Sequence, residues 1–140
     1  MTVIGIIAIL AAIATPNVFV WAANQRFNRG IREVQATVQN MRLFALKENA
    51  QATITFTNGA STYQTDKWKR GLGSGPAAHR IETWTLPTGV TVSSDFAGGQ
   101  LIFNSQGMAT AAGTITVTRQ SGTPLNIVIN VSLTGRVQIG

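Results

Sequence analysis

Hydrophobic and polar positions follow one another in distinct regimes along this chain. From Met1 to Ala23 the apolar positions are almost continuous. Val3-Ile4-Gly5-Ile6-Ile7-Ala8-Ile9-Leu10-Ala11-Ala12-Ile13-Ala14 passes through Thr15-Pro16-Asn17 into Val18-Phe19-Val20-Trp21, and no charged side chain precedes Arg26. A run of roughly 23 such residues is long enough to cross a bilayer core of about 30 Å as a helix. From Asn24 charges break in, and Phe27, Ile31, Val34, Val38, Met41 and Ala45 recur at steps of four and three. That spacing puts them on one stripe of a continuing amphipathic helix, expected to lie on the protein's own globular part.

Residues 1–23 therefore read as a transmembrane segment and 24–49 as the amphipathic half of the same helix. Together they would be about 70 Å long at about 1.5 Å per residue. Pro16 lacks an amide donor and crowds the carbonyl four residues back, so a kink costing roughly 3 kcal/mol is expected there. Gly30 is a weak point, at about 1 kcal/mol relative to Ala. Arg29 and Glu33 are placed to pair across one turn. Ala12-Ile13-Ala14 has the small-x-small form of a signal cleavage site, but Pro16 would then fall just after the cut.

After Asn49 the period changes to two, and residues 50–140 read as one antiparallel β domain. Ala52–Thr57, Asn58-Gly59 and Ala60–Thr65 predict a hairpin with a tight turn. Further strands are predicted at 80–86, 90–93, 100–104, 114–119, 126–133 and 136–139. Pro87-Thr88-Gly89, Ser105-Gln106-Gly107, Ser121-Gly122 and Thr134-Gly135 punctuate them. The fold class is α+β: a long N-terminal helix followed by an antiparallel sheet domain.

Composition narrows the chemistry. Eleven Lys and Arg against five Asp and Glu give a formal charge of +6, which favours anionic partners without naming one. The absence of cysteine removes disulfides, thiolate nucleophiles and Cys-based zinc sites, so core packing alone must hold the domain. His79 is the single histidine and reads as a surface residue. Glu33, Glu48, Asp66, Glu82 and Asp95 are scattered, with no paired carboxylates for acid–base work or calcium. Gly71–Pro76 lacks the Lys-Ser/Thr of a phosphate loop. No catalytic residue, metal, cofactor or small-molecule substrate is expected. The remaining candidate is Lys67-Trp68-Lys69-Arg70 with His79-Arg80, where cations beside an indole would suit a strand of nucleic acid. A Trp68 folded back onto the domain is the plainer alternative.

The opening run resembles the N-terminal helix of type IV pilins and type II secretion pseudopilins, starting past that family's leader and first mature residues. Met41–Asn49 leading into Ala52–Phe56, with Leu101–Gly107, Ile127–Val131 and Thr134-Gly135-Arg136-Val137, is similar to GspH/FimT-type minor pilins. The resemblance implies a non-enzymatic subunit of a type IV pilus or type II secretion pseudopilus. Its partners would be further copies or other pilin subunits, after residence in the bacterial inner membrane with the β domain in the periplasm. Val3, Ile4, Ile6, Ile7, Ile9, Leu10, Ile13, Pro16, Val18 and Phe19 would form the filament core, with the helix between about Ala8 and Pro16 stretching or melting. A minor or tip subunit is expected; a DNA-binding minor pilin and a major filament subunit are the alternatives. DNA-binding members end in Gly-Arg-x-Arg, whereas this chain reads Gly135-Arg136-Val137-Gln138. Trp21 suits a headgroup-level indole. Arg26, Arg29 and Arg32 alone would bias the following domain towards the cytoplasm, opposite to the side the resemblance implies.

Overall fold

The computed structural model describes residues 2–68, 79–120 and 123–140, with side chains from residue 18 onward. Among these residues one α-helix, α1 (Thr2–Glu48), precedes eight strands. These are β1 (Ala52–Phe56), β2 (Thr62–Trp68), β3 (His79–Thr85), β4 (Val90–Ser94), β5 (Gln100–Phe103), β6 (Gly113–Arg119), β7 (Leu125–Val131) and β8 (Val137–Ile139). The helix runs through Pro16 and Gly30 as one element. It stops at Asn49, whose φ of 47° is left-handed, and the Ala50 amide donates back to the Ala45 carbonyl at 3.1 Å. This is a Schellman closure, with the buried Ala45 and Ala50 supplying its apolar contact.

Every member of the expected stripe is buried: Phe27, Ile31, Val34, Val38, Met41 and Ala45 are all 5% exposed or less. The stripe lies against two antiparallel sheets where the sequence suggests a single β domain. One has strand order β3-β2-β1-β5 and the other β4-β6-β7-β8. Alternation sends Ile54, Phe56, Tyr63, Leu101 and Phe103 of the first sheet, and Val92, Ile115, Val117, Ile129 and Val131 of the second, into one core with the helix. The split follows from pairings between distant segments, β1 with β5 (Ala52 opposite Phe103) and β4 with β6 (Val90 opposite Arg119).

Local expectations need adjusting in places. The β1–β2 turn is wider than a two-residue hairpin, because Phe56 pairs with Tyr63. Only Gly59 takes a positive φ there, and Ala60 N–H donates to the Thr57 carbonyl at 3.0 Å, the signature of a type II turn. The turn serves the second sheet: Gly59 N–H donates to the Val92 carbonyl and Ser94 N–H to Asn58 Oδ1, both at 2.9 Å. Gly30 is a contact, not merely a weak point, since a Cβ on it would sit 3.0 Å from Val90 Cγ1. Arg29 and Glu33 form no ion pair; those of the described residues all lie on the β2–β3 hairpin.

Two glycines fix the far end of α1. The Arg42 Nε donates to the Gly107 carbonyl at 3.0 Å. A Cβ on Gly135 (φ +75°) would lie 2.4 Å from that same carbonyl oxygen and 2.7 Å from Arg42 Nε. One on Gly107 (φ +68°) would strike Leu46 at 2.6 Å. Neither turn closes on the helix with a larger residue.

Candidate functional site

Where α1 leaves the domain its chemistry changes within two turns. Val18, Phe19, Val20 and Trp21 are 59%, 71%, 56% and 61% exposed. Four consecutive helical residues point about 100° apart, so this apolar surface surrounds the helix instead of forming a stripe. Ala22 and Ala23 are half-buried, and Phe27 is the first large side chain fully inside. Val18 and Phe19 of the expected filament-core set are thus exposed. Val3, Ile4, Ile6, Ile7, Ile9, Leu10, Ile13 and Pro16 lie on helical backbone, with side chains outside the described set. Among the described residues no helix is long and apolar enough to cross a membrane; most side chains of the expected span, residues 1–23, lie outside them.

The exit point is held by Arg119, which the sequence reading passes over as a strand end. It is 8% exposed, donates through Nη1 to Asn24 Oδ1 and through Nη2 to the Thr123 carbonyl, and leaves Nε buried without a partner among the described residues. Its signal is in the alternation Ile115, Val117, Arg119, which carries the guanidinium to the core face. Thr37 and Tyr63, also missed, are both buried and share a 2.9 Å hydroxyl–hydroxyl hydrogen bond beneath the helix. Burial pushes the Tyr63 phenol up to about 12.

The second candidate patch lies at the end of the β2–β3 hairpin. Lys67 stands opposite Arg80 and Trp68 opposite His79, so strand alternation places Lys67 and Trp68 on opposite faces. On the helix side, Lys67 Nζ and Arg80 Nε each lie 2.9 Å from a different oxygen of Glu82. The bond from Lys67 is the main cause that lowers the Glu82 carboxyl below its usual range. On the other side, His79 Nδ1 meets Asp66 Oδ2 at 2.8 Å, and the His79 and Trp68 rings lie nearly parallel with centroids 6.4 Å apart. Trp68 closes over a hollow of about 460 Å³ shared with Asn49, Gln51, Ile102 and Asn104, in line with an indole turned back on the domain. His79 is a surface residue with a carboxylate partner thirteen positions away, delivered by the hairpin register.

Arg136 is exposed on the other sheet, in the β7–β8 turn, where its amide donates to Ser132 Oγ at 3.1 Å. Lys69 and Arg70, and the Gly71–Pro76 segment, lie outside the described residues. The structure therefore gathers Lys67, Trp68 and Arg80 on one hairpin, on its two faces, and leaves Arg136 apart. Among the described residues no three metal-ligating side chains come together.

Known proteins match this arrangement at two levels. The chain's backbone superposes on the type IV minor pilin FimU of Pseudomonas aeruginosa PAO1 in two crystal forms. In space group P21 the TM-score is 0.64 at 16% identity, covering 86% of this chain and 92% of that one. In P65 it is 0.60 at 17% identity, covering 81% and 91%. At such identities the likeness carries the fold, one long helix followed by antiparallel sheets. No curated protein sequence matches the chain. The family model described as type II transport protein GspH matches residues 30–135, which take in the buried half of α1 and nearly all of both sheets. The chain belongs to this GspH family, within the type IV pilins and type II secretion pseudopilins.

Proposed function

We propose that the protein is a non-enzymatic pilin-like subunit that works by assembly, joining its N-terminal helix to the helices of neighbouring subunits in a type IV pilus or type II secretion pseudopilus. The observation that carries this reading is the change of character along α1. The stripe from Phe27 to Ala45 is covered by the chain's own sheets, while Val18 to Trp21 are each more than half exposed among the described residues. Apolar surface that surrounds a helix on all sides needs a surrounding apolar partner, either lipid or other helices. Before assembly residues 1–23 would sit in the inner membrane with the β domain in the periplasm. After extraction, Val3 to Val20 would line the filament core. A minor or tip position accords with the fold shared with a minor pilin.

The test is incorporation. Replacing Ile9 or Ile13 with Asp places a charge in the core of the packed helices and is expected to abolish recovery of the subunit from sheared filaments while the β domain still folds. Normal incorporation of either variant would overturn the reading.

DNA capture is the second reading. Its charged candidates divide between two sheets, and Lys67 and Arg80 already share Glu82. Retardation of DNA at low salt, lost on replacing Lys69 and Arg70, would restore it, because phosphate contacts are strongest there.

A further inference from the structure

Immediately beyond the exposed Val18–Trp21 segment, Arg26, Arg29 and Arg32 are all exposed. Steps of three on a helix turn each successive guanidinium by about 60°, so the arginines share a sector about 120° wide. That sector lies on the far side of the helix from the stripe of Phe27, Ile31 and Val34. None of the three meets a carboxylate among the described residues. The chain's own acids offer little cover from a second copy either. Asp66 is engaged by His79 and Glu82 by Lys67 and Arg80, while Asp95 accepts both the amide and hydroxyl of Thr114. Only Glu33, half-buried, and Glu48 at the opposite end of the described helix remain.

We infer that Arg26, Arg29 and Arg32 form a binding site for the phosphates of anionic phospholipid headgroups, holding the helix at a set depth while the subunit waits in the membrane. The inference rests on the membrane residence proposed above. Arg26 follows Trp21 by about 7.5 Å of helix rise, which carries the guanidiniums from the indole level into the phosphate layer. Arginine suits that layer because its planar fork donates two parallel hydrogen bonds to one phosphate. The apolar belt, the indole and the cations follow one another in the order of a bilayer leaflet from core to surface. That order favours lipid over an acidic protein face.

The test uses the full chain reconstituted in phosphatidylcholine vesicles containing either spin-labelled phosphatidylglycerol or spin-labelled phosphatidylcholine, and reads the motionally restricted lipid at the protein surface. The expected result is a preference for phosphatidylglycerol of about fivefold or more, the factor for about one arginine at an anionic surface. It should fall towards parity in R26Q/R29Q/R32Q, fall only part of the way in R26K/R29K/R32K, which keep the charge and lose the paired donors, and shrink as salt is raised. Equal restriction of both lipids by the unaltered protein, or a preference unchanged in the glutamine variant, would overturn the inference and leave membrane insertion standing. Absence of restricted lipid of either kind would overturn the membrane residence itself. These side chains are exposed, so the glutamine variant is expected to fold; unchanged Tyr63 titration confirms it.

Discussion

The two halves of α1 are both rich in apolar residues, yet they stand in opposite relations to the rest of the molecule. Between Phe27 and Ala45 the positions Phe27, Ile31, Val34, Val38, Met41 and Ala45 form a stripe, and each of these is 5% exposed or less. Between Val18 and Trp21 the apolar positions occupy every direction, and each is more than half exposed. A stripe can be satisfied by one surface, and the two sheets provide it. A girdle cannot be satisfied by any single surface of a small domain. The difference teaches that one helix can divide its hydrophobicity between folding and association. Changes in the two halves should then have separable consequences.

The widest separation comes from charge against cavity. Ile9→Asp or Ile13→Asp should eliminate incorporation into filaments, while thermal unfolding of the β domain stays within about 0.5 kcal/mol of the unaltered protein. Phe27→Ala should do the reverse, costing about 3–5 kcal/mol of stability in denaturant unfolding. If the Phe27 variant kept its stability, the division would fail. At the distal end Gly135→Ala should cost about 1–3 kcal/mol, because the added methyl meets the Gly107 carbonyl in a left-handed backbone. Thr37→Val leaves the buried Tyr63 hydroxyl without its partner and should cost about 1–3 kcal/mol.

A finer probe is pH. Tyr63 is the single tyrosine, so absorbance near 295 nm follows it alone, and its midpoint should lie at about 12 in the folded protein. An unfolded chain titrates near 10. The buried phenol is therefore neutral between those values while the unfolded one ionises, so stability is full below about pH 10 and declines as pH rises from there towards 12. On the acid side, the Thr114 amide is the main cause that lowers the Asp95 carboxyl. That contribution is present above the ordinary carboxylate range and lost as pH falls through it. A phenol midpoint near 10 would place Tyr63 in water and remove the seat beneath the buried stripe.

Much of this contrast was legible in the sequence because it depends on local periodicity. The steps from Phe27 to Ala45 give the buried face residue by residue, and the strands appear within about two positions of their predicted ends except β2, which runs three residues further, to Trp68. What could not be read is what depends on pairing between distant segments. The division into two sheets arises from β1 meeting β5 and β4 meeting β6, tens of residues apart. The basic hairpin looked continuous as Lys67-Trp68-Lys69-Arg70, but pleating separates Lys67 from Trp68 and presents Glu82 to the former. Arg119 seemed an ordinary strand terminus until the β6 register carried it inward to Asn24. Gly30 looked like a helix defect until β4 came within a methyl's distance.

The grip of Arg42 on the turn at Gly107, with Gly135 fitted against both, has a consequence for synthesis. The helix leaves the ribosome well before the pieces that seat its end, the nearer of which follows Arg42 by 65 residues. Contacts of such long sequence separation form late. Until those pieces arrive the nascent chain therefore carries both apolar surfaces uncovered. Completion hides only one of them, and the other must be received by something else.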